Sequence, residues 1–350
     1  MSPQEGSPVW RSKKAPSLST PHREAAARTR GLLRRRRSML SKVANRVYWL
    51  GRYMERTENT AKLVNVYTGL LLDMPKGTDV GWHSLLKITG SEEDFSGLYD
   101  EASEQNVTSF LLTDQRNSGS MLCSLSYARE NARTSRDILP REAWEAVNEI
   151  YILAKTDKDT ILSRSGRYQL LTRVIQGGQR LEGILAGGLS RNHTHTFLHL
   201  GRLLERADTT SRIMDAGALL LSESSLKKMR SLEGIVWMNL LKTLSAYQMY
   251  RQAVKRQIVG TEVIRFLLKD TKFPRSVAFC AEAAAVFASR LPNSGAVKEK
   301  TSLLLQRLKD FSPDNAGEME IHKFMDEIQL AVYDIDSAVS ATWFNSELAG

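Results

Sequence analysis

The chain has 350 residues and a mass of 39.4 kDa, and 42% of its residues are hydrophobic and 25% charged. This composition is that of a globular protein with a sizeable core, and it excludes collagen-like and low-complexity chains. No apolar run approaches the ~20 residues that a membrane span needs, so we expect a soluble protein without a membrane partner. The two cysteines, Cys123 and Cys280, indicate reduced thiols in the cytoplasm rather than a disulfide framework.

The net charge of +10 is concentrated in the first 38 residues. They hold 10 of the 49 basic residues and 2 of the 39 acidic ones, which leaves 39 basic and 37 acidic residues, a net charge of +2, for the rest. This extension cannot bury enough apolar surface to fold alone, and we predict that residues 1–38 are disordered. Our preferred interpretation is a dispensable leader, or a start assigned too early with Met39 as the true start. Binding of nucleic acid or acidic lipid is the alternative.

The remaining chain is predicted to be helical throughout. Apolar residues recur at alternating three- and four-residue steps between Val43 and Leu71, and again between Phe197 and Leu221, as on the buried face of an amphipathic helix. In the first half, further helices are predicted near residues 103–112, 118–138, 141–156 and 160–186. In the second half they are predicted near residues 226–256, 262–268, 275–290, 297–310 and 317–345. Alternating β-branched runs are missing from the sequence, so the predicted class is all-α.

An internal repeat divides this helical part into two halves. The segment LGRYMER at residues 50–56 recurs as LGRLLER at residues 200–206, an offset of 150. Trp82 recurs as Trp237, and the Phe-Leu-Leu run at 110–112 recurs at 266–268, with offsets of 155 and 156. Three matches in one order at nearly constant spacing predict a duplicated unit. We expect two repeats, 39–190 and 191–346, that pack as one helical bundle with pseudo-two-fold symmetry.

The repeated segment carries a cluster of arginine and glutamate that is the first candidate site. At 100° per residue, its charged side chains lie opposite the Leu50 and Met54 seam of the helix. The cluster is a buried ion-pair network, a binding site for an anion, or a solvated face; the last explains its presence in both copies least well. The candidate residues are Arg52, Glu55 and Arg56 in the first copy and Arg202, Glu205 and Arg206 in the second.

A second candidate site lies where the two halves differ. Arg129, Glu130 and Arg133 lie on a predicted helix whose counterpart in the second half is apolar, and Arg275 corresponds to Gly119. A single pocket would therefore involve the 127–136 helix of the first half, with Arg275 reaching it from the second half. Guanidinium groups bind carboxylate or phosphate with two hydrogen bonds, so the expected ligand is an anion. An arginine-rich solvent-exposed face is the alternative.

Other combinations of residues do not define a chemistry. His193, His195 and His199 lie close in sequence, but they match no metal-binding motif, and we predict no metal site. The Gly-Gly pairs at 177–178 and 187–188 do not follow a strand, so no phosphate-binding loop and no cofactor are predicted. The acidic residues have no spacing that identifies a general acid and base, so no catalytic residue is assigned.

Several segments together resemble the bacterial alpha-E domain family, which is named for an all-helical fold and a Glu-Arg motif. They are MLSKVANRVYWLGRYMERTENTAK at residues 39–62, ARENAR at 128–133, the helix around Trp144, and FPRSV at 273–277. The motif corresponds to Glu55-Arg56 and Glu205-Arg206, and the resemblance covers residues 39–346. Members typically open near Met39, and the three histidines belong to no motif of the family.

The resemblance implies association, by gene neighbourhood or fusion, with a circularly permuted ATP-grasp protein and often with a transglutaminase-like protein. ATP-grasp enzymes join carboxylates to amines through an acyl phosphate. We therefore expect a helical companion of such an amide ligase, which binds the ligase or an anionic substrate through its Arg and Glu clusters. The alternatives are an enzyme that uses Glu55 or Glu130, and a nucleic-acid-binding protein that uses its basic extension.

Overall fold

A computed structural model of the chain describes residues 20–74, 81–222 and 230–344. These residues form fourteen α-helices and no strand, which confirms the predicted all-α class. The chain divides into two compact units, Met1–Leu40 and Ser41–Gly350. Residues 1–19 of the predicted disordered extension lie outside the described residues, whereas residues 20–38 belong to the first helix.

The first seven helices lie between residues 20 and 188. They are α1 (Thr20–Asp73), α2 (His83–Thr89), α3 (Glu92–Ser96), α4 (Glu104–Leu112), α5 (Met121–Arg133), α6 (Arg141–Thr156) and α7 (Arg164–Gly188). A 3₁₀-helix, Lys158–Leu162, precedes α7. The two short helices α2 and α3 were not predicted.

The other seven helices follow after the turn at residues 189–192. They are α8 (His193–Ser222), α9 (Arg230–Thr243), α10 (Tyr247–Val254), α11 (Gly260–Lys269), α12 (Val277–Ala288), α13 (Gly295–Asp310) and α14 (Glu318–Val339). A 3₁₀-helix at Pro313–Asn315 precedes α14, and a π-helical turn at Ser340–Phe344 follows it.

Serine side chains mark the starts of several helices. The Ser120 hydroxyl accepts a hydrogen bond from the Cys123 backbone N–H at the start of α5, and Ser276 does the same for the Phe279 N–H at the start of α12. Such caps satisfy N–H groups that have no partner within the helix. The two serines are 156 residues apart, which is the offset of the Phe-Leu-Leu runs, and each fixes where its helix begins.

The single helix predicted near residues 226–256 is wrong, because the described part of that segment forms two helices. Helix α9 ends at Thr243, and Ser245 adopts a left-handed backbone conformation with φ 54°. The Ala246 N–H then bonds to the Leu241 carbonyl, which closes the α9 turn before α10 begins. Serine has only a weak preference for helix, and the left-handed residue changes the direction of the chain.

Helix α8 lies at the centre of the bundle. It packs against α12 and α14 on two sides and against α2 and α9, while α6 packs between α5 and α7. The core includes fully buried Tyr48 of α1, Leu200 of α8 and Met325 of α14. Among the described residues, no helix combines the length and the apolar character required to cross a lipid bilayer.

Candidate functional site

Two glycines allow helices α1 and α8 to make backbone contact. A Cβ atom at Gly51 would lie 2.2 Å from the carbonyl oxygen of Leu198, and one at Gly201 would lie 2.1 Å from that of Tyr48. Cβ atoms do not approach a carbonyl oxygen this closely, so glycine alone fits at either position. Each glycine contacts the residue three before the other glycine. The contact is therefore reciprocal, and it brings the two Arg-Glu clusters face to face.

The carboxylate of Glu205 on α8 binds two arginines of α1. Arg52 donates from Nε to Oε2 at 2.8 Å, while Arg56 donates from Nε to Oε1 at 2.6 Å and from Nη2 to Oε2 at 2.9 Å. The Glu205 side chain is only 4% exposed. Both oxygens of this carboxylate therefore carry charge-assisted hydrogen bonds in a nearly dry position.

The carboxylate of Glu55 on α1 binds three arginines from the second half of the chain. Arg206 donates from Nε to Oε1 at 3.0 Å and from Nη2 to Oε2 at 2.8 Å, which repeats the geometry of Arg56 on Glu205. Arg275, in the loop before α12, donates from Nη1 to Oε1 at 2.9 Å. The Nε of Arg202 lies 3.5 Å from Oε2. Three cations thus surround a side chain with 0% exposure.

The arginine that directly follows each of the two glycines also binds a carboxylate on a third helix. Arg52 donates to Asp336 of α14 at 2.6 Å, and Arg202 lies 3.0 Å from Glu182 of α7. The hydroxyl of Tyr48 also donates to Asp336. These two carboxylates were not among the residues predicted from the sequence. Their separation of 154 residues, close to the offset of the repeat, is the signal that could have found them.

Arg275 extends the network along α1. In addition to Glu55, it donates from Nη1 to Asn59 Oδ1 at 2.9 Å and from Nη2 to Glu58 Oε1 at 3.3 Å. Lys62 donates to the same Glu58 oxygen at 2.6 Å. Arg275 therefore reaches α1, and not the 127–136 helix with which the sequence analysis had combined it.

The arginines keep both central carboxylates ionised. Burial by itself would raise the pKa of Glu55, but the charges of Arg206, Arg275 and Arg202 outweigh it and hold that pKa well below its usual range. Burial likewise opposes the ionised form of Glu205, and Arg52 and Arg56 lower its pKa below the usual value.

This network suits a structural role better than acid–base catalysis. A carboxylate with a strongly lowered pKa is a poor base near neutral pH, and its oxygens are already occupied. Burial raises the pKa of the neighbouring Cys280 thiol to about 12, so that side chain is not a thiolate either. The burial of Glu55 and Glu205 excludes the solvated-face interpretation. The observed contacts between the arginines and the carboxylates form an ion-pair network between α1 and α8, as in the first of the alternatives.

The candidate residues of α5 lie in a different environment. Arg129 donates to Asn148 Oδ1 at 2.7 Å, and its guanidinium lies over the rings of Trp144 and Tyr151 of α6. Glu130 and Arg133 form an exposed ion pair at 2.7 Å. These contacts separate the α5 arginines from the network of Glu55 and Glu205.

The histidines at the start of α8 pack against an aromatic ring. The His195 and His199 ring centroids lie 4.2 Å apart, and the ring of Phe287 stacks on His199 at 5.2 Å. Burial lowers the pKa of His199 to about 3 and lowers that of His195, so both rings are neutral near pH 7. His193 is exposed.

An open cleft of about 280 Å³ borders the network on the Glu205 side. It lies between α1, α8, the turn after α2 and the loop before α5. This volume is close to the lower end of the range of small-molecule sites. The charged residues that line it are Arg56, Asp94, Glu205, Asp208 and Arg212.

The fold and the site together define a class of protein: an all-helical bundle in which two Glu-Arg pairs bind each other across two helices. The profile of the Alpha-E family, described as a predicted alpha-helical domain with a conserved ER motif, matches residues 39–344. The chain belongs to this family, as the resemblance implied. No curated protein and no solved structure matches the chain.

Proposed function

We propose that the chain is the helical companion of a carboxylate–amine ligase of the circularly permuted ATP-grasp type. Membership of the Alpha-E family supports this proposal, because the family resemblance implies association with such a ligase. The companion supplies a rigid helical body and a docking surface, while the ligase activates the carboxylate. A transglutaminase-like protein is a second proposed partner.

The observation that carries the proposal is an exposed surface of arginines and aromatic rings on α5 and α6. Arg133 and Arg136 are exposed, and the guanidinium of Arg136 lies 4.9 Å from the centre of the Trp144 ring. Tyr127 of α5 is 43% exposed. Arginine, tyrosine and tryptophan are the residues that most often dominate binding energy at protein interfaces. We name this patch, with Arg129 included, the α5 surface.

The occupied state of the buried network also supports a docking role. Arg52, Arg56, Arg202 and Arg206 are each bound to the buried carboxylates or to carboxylates of neighbouring helices, whereas Arg133 and Arg136 of the α5 surface are exposed to a partner. Glu130 is exposed beside these arginines, so the α5 surface carries both positive and negative charge. A partner with a complementary acidic patch would be drawn to this surface by electrostatic attraction.

A binding measurement between the purified chain and the ATP-grasp protein encoded beside it tests the proposal. We expect a complex in the micromolar range or tighter, and a Kd raised about tenfold or more when Arg133 and Arg136 are both changed to alanine. Arg256, which is exposed and lies 3.9 Å from the Glu262 carboxylate, is the matched control, and its change to alanine should leave the Kd unaltered. Absence of a complex at micromolar concentrations would contradict the proposal.

We also propose that residues 39–190 and 191–346 descend from one duplicated helical unit. The reciprocal contacts of Gly51 and Gly201 support this, as do the matching hydrogen bonds of Arg56 and Arg206. The order of α4 to α7 agrees with the order of α11 to α14. These two sets of four helices should therefore superimpose on each other, and a failure to superimpose would contradict the idea.

A cytoplasmic location is part of the same proposal. Cys123 and Cys280 are free and buried, which supports a reducing compartment. Fractionation of cells that produce the chain, with the ligase detected in parallel, would test it.

A further inference from the structure

The loop before α12 contains an internal example of a bound guanidinium. Arg275 is 8% exposed, and its two terminal nitrogens donate to Glu55, Glu58 and Asn59 of α1. One planar group thus makes bonds to three side chains spaced along one helix. An ammonium group presents its donors around a single point and does not reproduce this planar, two-nitrogen arrangement.

The residues 150 positions later line the open cleft. Glu205, Asp208 and Thr209 of α8 correspond to Glu55, Glu58 and Asn59, and all three border the cleft. In place of Arg275, the corresponding loop has Gly119, which also borders the cleft. The cleft therefore has acceptors like those of the Arg275 site, but its loop provides no guanidinium.

Apart from Arg275, the two sites contain cationic side chains of this chain at corresponding positions. In the Arg275 site, Arg206 binds Glu55 and Lys62 binds Glu58. In the cleft, Arg56 binds Glu205 through two hydrogen bonds. Arg212 takes the place of Lys62, because its Nε donates to Asp208 at 2.9 Å.

The difference lies in what each central carboxylate oxygen accepts. Oε1 of Glu55 accepts from Arg206 and from Arg275, whereas, within the part of the chain described, Oε1 of Glu205 accepts from Arg56 alone. Carboxylate oxygens have room for two hydrogen bonds each. Oε1 of the buried Glu205, which borders the cleft, can therefore accept one further hydrogen bond.

We propose that this cleft binds the guanidinium group of a small-molecule ligand. The group donates to Glu205, Asp208 and Thr209, in the way that Arg275 donates to its three partners, and the rest of the ligand extends between α3 and the loop before α5. The charged lining has three carboxylates and two guanidinium groups, so a single positive charge balances it. This inference does not depend on the ligase, since binding is a property of this chain alone.

Calorimetric titration with agmatine tests the proposal, with N-carbamoylputrescine as the matched compound in which a neutral urea replaces the guanidinium. We expect agmatine to bind and the urea compound to bind about tenfold or more weakly, because the charge-assisted hydrogen bonds are lost. Equal binding of the two compounds, or no binding of agmatine at millimolar concentration, would overturn the proposal. So would binding of inorganic phosphate that is lost in Arg212→Ala, since this would make the cleft an anion site.

Two variants, Gly119→Arg and Asp208→Asn, test whether agmatine binds in this cleft, and Gly119→Ala is the control. Gly119→Arg introduces an internal guanidinium where the second half has Arg275, and it should abolish agmatine binding, whereas Gly119→Ala should retain it. Asp208→Asn keeps the shape of the cleft and should weaken agmatine about tenfold. Unchanged affinity in both Gly119→Arg and Asp208→Asn, with thermal unfolding like that of the parent chain, would place any binding elsewhere and refute the assignment.

Discussion

Gly51 and Gly201 each lie against the main-chain carbonyl group three residues before the other. A Cβ at either position would come within about 2.2 Å of that oxygen, so the two helices meet backbone to backbone. Because the residues that follow each glycine are Arg, two variable positions and Glu-Arg, this single contact sets the geometry of the entire network. The Glu-Arg motif and the glycine before it therefore form one structural unit.

The first prediction concerns this contact. Gly51→Ala should lower the free energy of unfolding by about 2 kcal/mol or more, because backbone atoms of α8 must move to admit the methyl group. Gly201→Ala should act similarly, and urea denaturation measures both. Gly69 in the same helix α1 is the control, since a Cβ there meets nothing within 4 Å. Gly69→Ala should stabilise the chain by about 0.5 kcal/mol, because alanine favours helix over glycine. Equal effects at Gly51 and Gly69 would contradict the close contact.

The second prediction concerns the buried carboxylates. Glu55→Gln should cost about 3 kcal/mol of unfolding free energy, because the buried guanidinium groups lose their countercharge. Glu205→Gln should be less damaging, since Glu205 binds two arginines and Glu55 is surrounded by three. Chemical denaturation of the two variants gives the comparison. Glu130→Gln removes a carboxylate from an exposed pair and should leave unfolding unchanged. A harmless Glu55→Gln would mean that the network does not hold the helices together.

The third prediction follows from the lowered pKa of Glu55 and of Glu205. In the unfolded chain both carboxyls titrate near 4.5, and in the folded chain they titrate lower. Their contribution is therefore fully present above about pH 4.5 and is lost as the pH falls through the folded pKa values. The unfolding free energy, measured between pH 7 and pH 3, should fall steeply below this point. The loss should be shallower in Glu55→Gln, and parallel curves for the variant and the parent would refute this cause.

The fourth prediction concerns His322 of α14 and has the opposite sign. Its Nδ1 bonds to Asp215 of α8 at 2.7 Å and its Nε2 lies 3.7 Å from Asp326, and the hydrogen bond to Asp215 raises the pKa of His322 above 6.5. The contribution of His322 is therefore fully present below about pH 6.5 and is lost as the pH rises through the folded pKa. His322→Gln should cost about 1 kcal/mol or less at pH 6, as for a partly exposed pair, and still less at pH 9. Thermal unfolding across this pH range tests it, and a cost that grows with pH would be the contrary result.

The sequence predicted the long helices well because helix formation is dictated locally. The three- and four-residue spacing identified α1 and α8, and serine caps begin α5 and α12 within a few residues of the predicted positions. Local patterns failed at the turn around Ser245, where a left-handed residue divides one predicted helix into two. They also missed α2 and α3, which have seven and five residues and are too short to show a period.

The candidate site was predicted in part. The two Glu-Arg clusters, which the repeat selected in the sequence, lie against each other in the structure, and Glu55 and Glu205 are buried there. Arg275 was predicted to accompany the α5 arginines, but it lies on Glu55 instead. Glu182 and Asp336 were missed, because each pairs with an arginine of a different helix, Arg202 and Arg52 respectively, and such a pair leaves no pattern within its own helix.

The amino-acid sequence by itself determined the all-α class, the family, and the recurrence of glycine, arginine and glutamate at matching positions. These features depend only on the identity and spacing of residues along the chain. Only the tertiary structure decided which arginine binds which carboxylate, and that one of two corresponding positions is filled by Arg275 while the other is an open cleft beside Gly119. The reason is physical: ion pairs and cavities depend on distances across the packed bundle, and these are set by how the helices meet.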